Sequence, residues 1–360
     1  MFKRLSWLSA IFFTLVLTGA GCISFTGGSA SGPKGIFLSS DGGDSWTQKN
    51  TLVTAQGPKS LSGANVYRIF TDPSDTNALY MATRGQGLFY SYDSGETWNS
   101  FLPLANKFIY ALSVDPKNKC TIYVSDGPNI YKTTDCGRFW KSVFTETRPS
   151  QRLVALANDY NNANIVYAAE IGGDILRSKD GGNSWRVVES FNVELRHLAV
   201  DPFNSKRVYV ASYGQGLYRS DDSGDTWKSL SQGFSNFNGS LNFYRLVFHP
   251  TQPNSLYWIS KYGIFHSADA GGTWAEIKLL TPPGSVNIYS FAVNPKNLAE
   301  MYYTGTVLGD SSQNIRSTLY KTTDGGINWV TKKLPSNAIP VDLLIDKDNG
   351  KKIFLGFTTL

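Results

Sequence analysis

One eight-residue frame, Ser/Thr-x-Asp-x-Gly-x-x-Trp, recurs seven times in the 360-residue chain, as SSDGGDSW, SYDSGETW, TTDCGRFW, SKDGGNSW, SDDSGDTW, SADAGGTW and TTDGGINW. Its aspartates are Asp41, Asp93, Asp135, Asp180, Asp222, Asp269 and Asp324, spaced by 52, 42, 45, 42, 47 and 55 residues. Its tryptophans are Trp46, Trp98, Trp140, Trp185, Trp227, Trp274 and Trp329, seven of the nine in the chain. A repeat of this length is one structural unit of a propeller or a solenoid. A catalytic residue is needed once and a fold element in every unit, so the frame reads as seven staples. A carboxylate there can accept hydrogen bonds from the turn's own amides, glycine permits a left-handed backbone, and tryptophan buries a large ring.

Each unit parses into four strands. VYRIF alternates and ends at Asp-Pro, ALYMAT follows, then GLFYS, and the box turns the chain into a fourth strand at its tryptophan. No segment carries a long 3.6-residue apolar period, so helices are expected to be scarce. The first unit supplies only a third and fourth strand (GIFLSSDGGDSWTQ), and the last segment only a first and second (VDLLIDKDNGKKIFLGF). These halves complement each other. The expectation is an all-β chain forming one seven-bladed β-propeller over residues 35–360, with one blade closed by both termini and its sheet edges protected by radial closure.

The frame resembles the Asp-box, or BNR, repeat. Its relatives include sialidases, sortilin N-terminal domains, xyloglucan-type glycoside hydrolases and lipid-anchored photosystem II assembly factors. In such families the box lies away from the ligand face, which puts a site at the opposite mouth, among the fourth-to-first and second-to-third connections. The residue four before each Asp-Pro position varies from blade to blade: Arg68, Ala111, Ala155, His197, Arg245, Ser290 and Asp342. The second-to-third connections add Arg84, Gln86, Glu170, Asp174, Tyr213, Gln215, Lys261 and Tyr262. Arg68, Arg84, Tyr213, Arg245, Lys261, Tyr262 and Asp342 are therefore the candidate ligand-binding residues. Tyr67, Tyr110, Tyr244 and Tyr289 recur one position earlier than the variable residue and read as inter-blade packing.

Two enzymatic alternatives need testing. A sialidase grips a carboxylate with three arginines. YRIF resembles the early Arg-Ile-Pro motif, with Phe70 in place of proline, and Arg68, Arg84 and Arg245 are the arginines available. A glycoside hydrolase needs two carboxylates, and Glu170 with Asp174 in AEIGGDIL is the best pair. The xyloglucan-type enzymes use two propellers, whereas one is expected here. His197, His249 and His266 lie in different repeats and lack metal-ligand spacing, and GQG at 85–87 and 214–216 precedes no helix, so neither metal nor cofactor is expected. The leading expectation is a non-enzymatic binding or assembly scaffold for a protein or glycan. An exported glycosidase and a photosystem-type assembly factor are the alternatives.

The first 22 residues, MFKRLSWLSAIFFTLVLTGAGC, combine a basic end, an apolar run and small residues. This is a secretory signal, too short for a usual membrane span. Its end resembles the lipobox of bacterial lipoproteins, which implies a signal peptide over 1–21, an acylated Cys22 and a tether over 22–34. The chain is then an exported, monomeric, membrane-anchored lipoprotein of the cell envelope. Cys120 and Cys136 lie at one end of one blade and form the expected disulfide of an oxidising compartment. The net charge of +6 falls to +4 without Lys3 and Arg4, and no dense Lys/Arg run exists, which argues against nucleic acid as a partner. Cys22→Ala is expected to move the protein from the membrane to the soluble fraction. Continued tight membrane association of that variant rules the anchor out.

Overall fold

The computed structural model describes residues 32–309 and 315–359. The leader, Cys22 and most of the tether lie outside the described residues. Seven four-stranded antiparallel sheets make up the ring. Blade 1 joins Ile339–Ile345 and Ile353–Thr358 to Gly35–Ser39 and Thr47–Lys49, so both ends of the chain share one sheet. Its closing seam is the antiparallel ladder of Gly35–Ser39 on Ile353–Thr358, with Phe37 opposite Leu355. Blade 2 runs Val66–Asp72, Asp75–Thr83, Leu88–Ser91 and Asn99–Ser100. Blade 3 runs from Ala111 to Thr145, blade 4 from Leu153 to Ser190, blade 5 from Leu195 to Ser229, blade 6 from Phe243 to Ile277 and blade 7 from Asn287 to Lys332. The first strands of consecutive blades touch all the way round, and those of blades 1 and 2 close the circle. Helix is confined, among the described residues, to two single turns at Leu102–Leu104 and Ser231–Gly233. One element was not foreseen: a short hairpin of Thr51–Leu52 with Lys59–Ser60 beside blade 1.

The core is divided among the blade interfaces. Tyr80, Ala82 and Leu88 of blade 2 pack with Leu112, Val114 and Ile122 of blade 3, and the pattern repeats between blades 4 and 5. Flat faces of alternating residues stack this way because each sheet must bury two faces and can do so only against two neighbours.

All seven boxes are third-to-fourth hairpins with one bonding scheme. The opening Ser or Thr is buried, and its hydroxyl donates to the aspartate at 2.7–2.8 Å. The same oxygen accepts the glycine N–H at 2.7–3.1 Å. The aspartate accepts the N–H four residues on at 2.8–3.0 Å. The two residues after the aspartate are both left-handed, as in Ala270 (φ 62°) and Gly271 (φ 89°). The carboxylates are engaged inside the turn, as a staple requires.

A second device links each box to its neighbour. The second strand of each blade carries a buried aromatic residue, and in four blades it is a tyrosine that donates to the carbonyl of the first left-handed residue in the next box. The four bonds are Tyr123 to Gly181 (2.8 Å), Tyr167 to Ser223 (2.9 Å), Tyr209 to Ala270 (3.0 Å) and Tyr302 to Gly42 (3.1 Å). The tryptophans contribute less uniformly than the sequence suggests. Trp98 is fully buried and Trp329 nearly so, while the other five box tryptophans are half-buried.

Box 3 departs from the scheme. Phe139, 80% exposed, stands where the other boxes place a Ser, Thr or Asn that bonds the aspartate side chain. This box holds the disulfide: Cys136 occupies the left-handed position and is bonded to Cys120 of the adjoining strand.

Truncation of Trp98 to Ala is expected to lower stability by about 3–5 kcal/mol, the cost of deleting a fully buried aromatic. Trp227→Ala is expected to cost less than half of that, because Trp227 is only half-buried and its indole N–H has no partner. Chemical denaturation of both variants checks the order. The boxes also predict acid lability. Asp180 is held down at about 2, first by the Ser184 hydroxyl and then by the Ser184 amide and the Ser178 hydroxyl. Asp324 is held down at about 2 by the Asn328 amide, then the Thr322 hydroxyl. Carboxylates lowered by folding stabilise the fold above their unfolded pKa and lose that contribution as pH falls through the folded one. The melting midpoint is therefore expected to drop between about pH 4 and pH 2, and Asp180→Asn should show a smaller drop than the parent. A flat profile contradicts this account.

Candidate functional site

The chain's alternation decides which end of the ring carries what. Box hairpins and first-to-second turns share one face, and the fourth-to-first and second-to-third connections share the other. At that second face the starts of the inner strands surround a cleft of about 310 Å³. It is lined by Arg68, Arg84, Arg196 and Arg245 and by Tyr67, Tyr213, Tyr244 and Tyr289, with Phe243 and Val341.

A β-bulge aims these side chains. In six of the seven inner strands the register slips just before the variable residue: Val66/Arg68, Leu153/Ala155, Leu195/His197, Phe243/Arg245, Asn287/Ser290 and Pro340/Asp342. A bulge places two residues against one and re-aims a side chain. Tyr67 and Tyr244 sit on the bulge and line the cleft, while the residues after it form a ring deeper in the channel. The tyrosines also make the expected inter-blade contacts, with Tyr67 against Phe108 at 4.9 Å and Tyr244 against Tyr289 at 5.6 Å.

The candidates occupy three depths. Arg84 and Tyr213 stand exposed at the rim, with Arg84 over the Tyr67 ring at 5.7 Å and Arg196 over the Tyr213 ring at 5.5 Å. Arg68 lies lower, its Nη1 3.4 Å from His197 Nδ1. Burial, then the Arg68 and Arg245 charges, pushes His197 well below the ordinary imidazole range, so it is neutral. Arg245 and Asp342 are not free rim groups. Their side chains pair at 3.2 Å, Arg245 also donates to the Tyr289 carbonyl at 2.7 Å and to that of Val341, and Asp342 accepts the Ile69 N–H at 2.8 Å. This ion pair ties blades 6, 7, 1 and 2 together. Lys261 and Tyr262 stand apart from the cleft. Tyr262 lines a separate groove along blade 6, and its hydroxyl meets Glu276 at 3.2 Å.

Among the described salt bridges, Asp342 on Arg245 and Glu194 on Arg196 are the only carboxylates paired with the four arginines. Arg68 and Arg84 retain donor capacity toward the cleft, which is therefore cationic and aromatic. Sequence reading places Arg196 with Arg68, Arg84 and Arg245 as scattered arginines that partly resemble the patch of the photosystem-type assembly factors, but leaves it out of the candidate ligand-binding residues. The signal was present, one residue before His197, and needed the bulge to interpret.

Glu170 and Asp174 do not line this cleft. Arg148, in the connection between blades 3 and 4, bridges Glu170, Asp174 (3.1 Å) and Glu146 (2.9 Å). Glu170 is 1% exposed, and one of its oxygens has no partner. Burial, then the hydrogen bond and charge of Glu146, pushes Glu170 up, while Glu146 is held down first by its bond to Arg148. Glu170 is therefore the weaker acid of the two. Among the described residues no group of three or more His, Cys, Asp or Glu is placed to hold a metal, and no helix is long and apolar enough to cross a membrane.

Curated relatives are similar over part of the chain. An oligoxyloglucan-reducing end-specific xyloglucanase of Emericella nidulans is 37% identical over 94 residues, 24% of this chain and 12% of the relative. A xyloglucanase of Acetivibrio thermocellus is 30% identical over 159 residues, 42% of this chain and 16% of the relative. The chain thus aligns with a small fraction of these relatives' length. Among solved structures, the GH74 enzyme of Niastella koreensis superposes with a TM-score of 0.66 at 17% identity, over 82% of this chain and 51% of that one. YCF48 bound to D1 peptide superposes with a TM-score of 0.60 at 18% identity, over 82% and 93%. These last two likenesses are of fold. The profile of the family described as Sortilin-Vps10 (sortilin, neurotensin receptor 3) matches residues 34–149 and 173–264, more than half of the chain. The protein belongs to the Sortilin-Vps10 family of Asp-box β-propellers.

Proposed function

We propose that this propeller is an exported, lipid-anchored, non-catalytic scaffold that recognises an anionic segment of a protein or glycan partner at its arginine-lined mouth. The observation that carries the reading is the composition of the cleft: four arginines and four tyrosines converge there, and only two carboxylates pair with the arginines. Guanidinium groups offer forked donors matched to carboxylate, and tyrosines give rigid, amphipathic contact area. Export is supported by the disulfide, a bond of oxidising compartments. Isothermal titration with hexaglutamate and with an oligogalacturonate tests the class of partner. Binding that weakens with added salt is expected for at least one of them. Arg84→Ala and Arg196→Ala are each expected to weaken it by about tenfold, the loss of one charged hydrogen bond. Neither should move the melting midpoint. Salt-insensitive binding, or none, removes the reading.

A second reading, glycoside hydrolysis, is favoured by the xyloglucanase relatives and by the opposite shifts of Glu170 and Glu146, the arrangement from which an acid and a base are drawn. Against it, Glu170 is buried beneath Arg148. Turnover of xyloglucan oligosaccharides that Glu170→Gln abolishes would establish it.

A further inference from the structure

Charge is unevenly divided around the mouth face. At blade 4, Glu146, Glu170 and Asp174 share the single Arg148. Blades 7 and 1, across the ring from it, carry the opposite excess. There a groove of about 580 Å³ runs from the third and fourth strands of blade 7 into its connection with blade 1, lined by Arg316, Lys332, Lys333, Ser336 and Asn337. Arg316 and Lys333 are exposed, and the described salt bridges of this blade use Lys321 and Lys332 instead, on Glu300 and Asp44.

Two more lysines flank the groove where the chain enters blade 1. The amide of Lys34 donates to the Ser62 carbonyl at 2.8 Å, and Lys59 is exposed on the hairpin that leads to Ser62. Apolar side chains line the same edge. Val307, 46% exposed, stands opposite Arg316 in the sheet, and Leu308 follows it at 41%.

The N-terminal segment leaves the ring at this groove. A Cβ on Gly32 would meet the Ser336 hydroxyl and the Asn337 amide, both in the groove wall. Cys22 lies ten residues before Gly32, a reach of at most about 35 Å. An acyl group on Cys22, as the proposed function has it, therefore holds this edge of the ring within that distance of a bilayer.

The geometry points to a docking surface for an anionic phospholipid bilayer, in which Arg316, Lys333, Lys34 and Lys59 meet the phosphate headgroups and Val307 and Leu308 reach the acyl boundary. This rests on the lipid anchor proposed above, which brings the groove to the membrane but does not choose the ring's orientation. Each basic side chain near an anionic surface adds roughly fivefold in binding. The same field repels the carboxylates of blade 4 and so fixes which edge of the ring turns inward.

Residues 23–360 hold every described strand and lack Cys22, so their binding to vesicles reports the surface alone. The test is sedimentation with vesicles of phosphatidylcholine and of phosphatidylcholine mixed equally with phosphatidylglycerol. Binding to the mixed vesicles is expected to be at least about tenfold tighter and to weaken with added salt. Arg316→Ala and Lys333→Ala are each expected to weaken it by about fivefold, with the melting midpoint unchanged. Lys179→Ala, exposed on the box face, should have no effect. Equal binding to both vesicles, none to either, or a loss caused by Arg84→Ala and not by Arg316→Ala overturns the inference. The last result would mean that the arginine cleft takes the headgroups. The anchor is read separately, by the cell fraction that holds the parent chain, so its failure and this one are told apart.

Discussion

Every blade depends on one carboxylate that completes a turn the backbone would otherwise resist. Two consecutive left-handed residues are costly for side chains with a Cβ, yet four of the seven boxes put Ser, Cys or Ala at the first of them. The aspartate offsets that cost by accepting the hydroxyl before the turn and the amide after it, both within the same eight residues. The turn then presents a carbonyl outward, and in four interfaces the preceding blade's tyrosine hydroxyl binds it. A local turn thereby becomes a joint between sheets.

The joints are not identical, and their exceptions are informative. In blade 1 the equivalent position is Phe354, which has no hydroxyl, and in blade 2 the Tyr80 hydroxyl is buried without a partner. Box 3, the one Tyr80 should engage, is also the box with an exposed phenylalanine and the disulfide. A covalent crosslink closing a loop of this length supplies roughly 3 kcal/mol, which replaces the hydrogen bonds that this box lacks.

The ring's two ends differ because six of the seven inner strands bulge just before the variable residue at one end, whereas at the other end register slips only in blades 2, 3 and 5, beside Asp72, Asp115 and Asp201. Above the bulge, side chains of successive residues turn toward one mouth, and arginines and tyrosines collect there. Below it, the regular alternation points apolar residues into the channel. Arg68 and His197 meet between the two regions, and the Arg245–Asp342 pair knits four blades at the same level. Substituting either member of that pair would leave a buried charge uncompensated, so it belongs to the scaffold as much as to the site.

Seven frames at a near-constant period determined the repeat, the strand count per blade and the shared terminal blade, because each follows from spacing and from turn chemistry carried within a few residues. The disulfide was legible for the same reason: Cys120 and Cys136 fall at one end of a hairpin whose register the box fixes. The buried second-strand tyrosines were equally periodic in the sequence, but their role was not, since a hydroxyl's partner lies in another blade. The mouth was legible in outline only. Arg84 and Tyr213 stand where the connections put them. Arg245 and Asp342 proved to be paired, Lys261 and Tyr262 stand elsewhere, and Arg196 came in from the side. Those outcomes were decided by the bulges and by the closure of seven sheets into a ring, which bring together residues 273 positions apart in the bond from Ile69 to Asp342. No local pattern carries that information, because it arises only when the last blade meets the first.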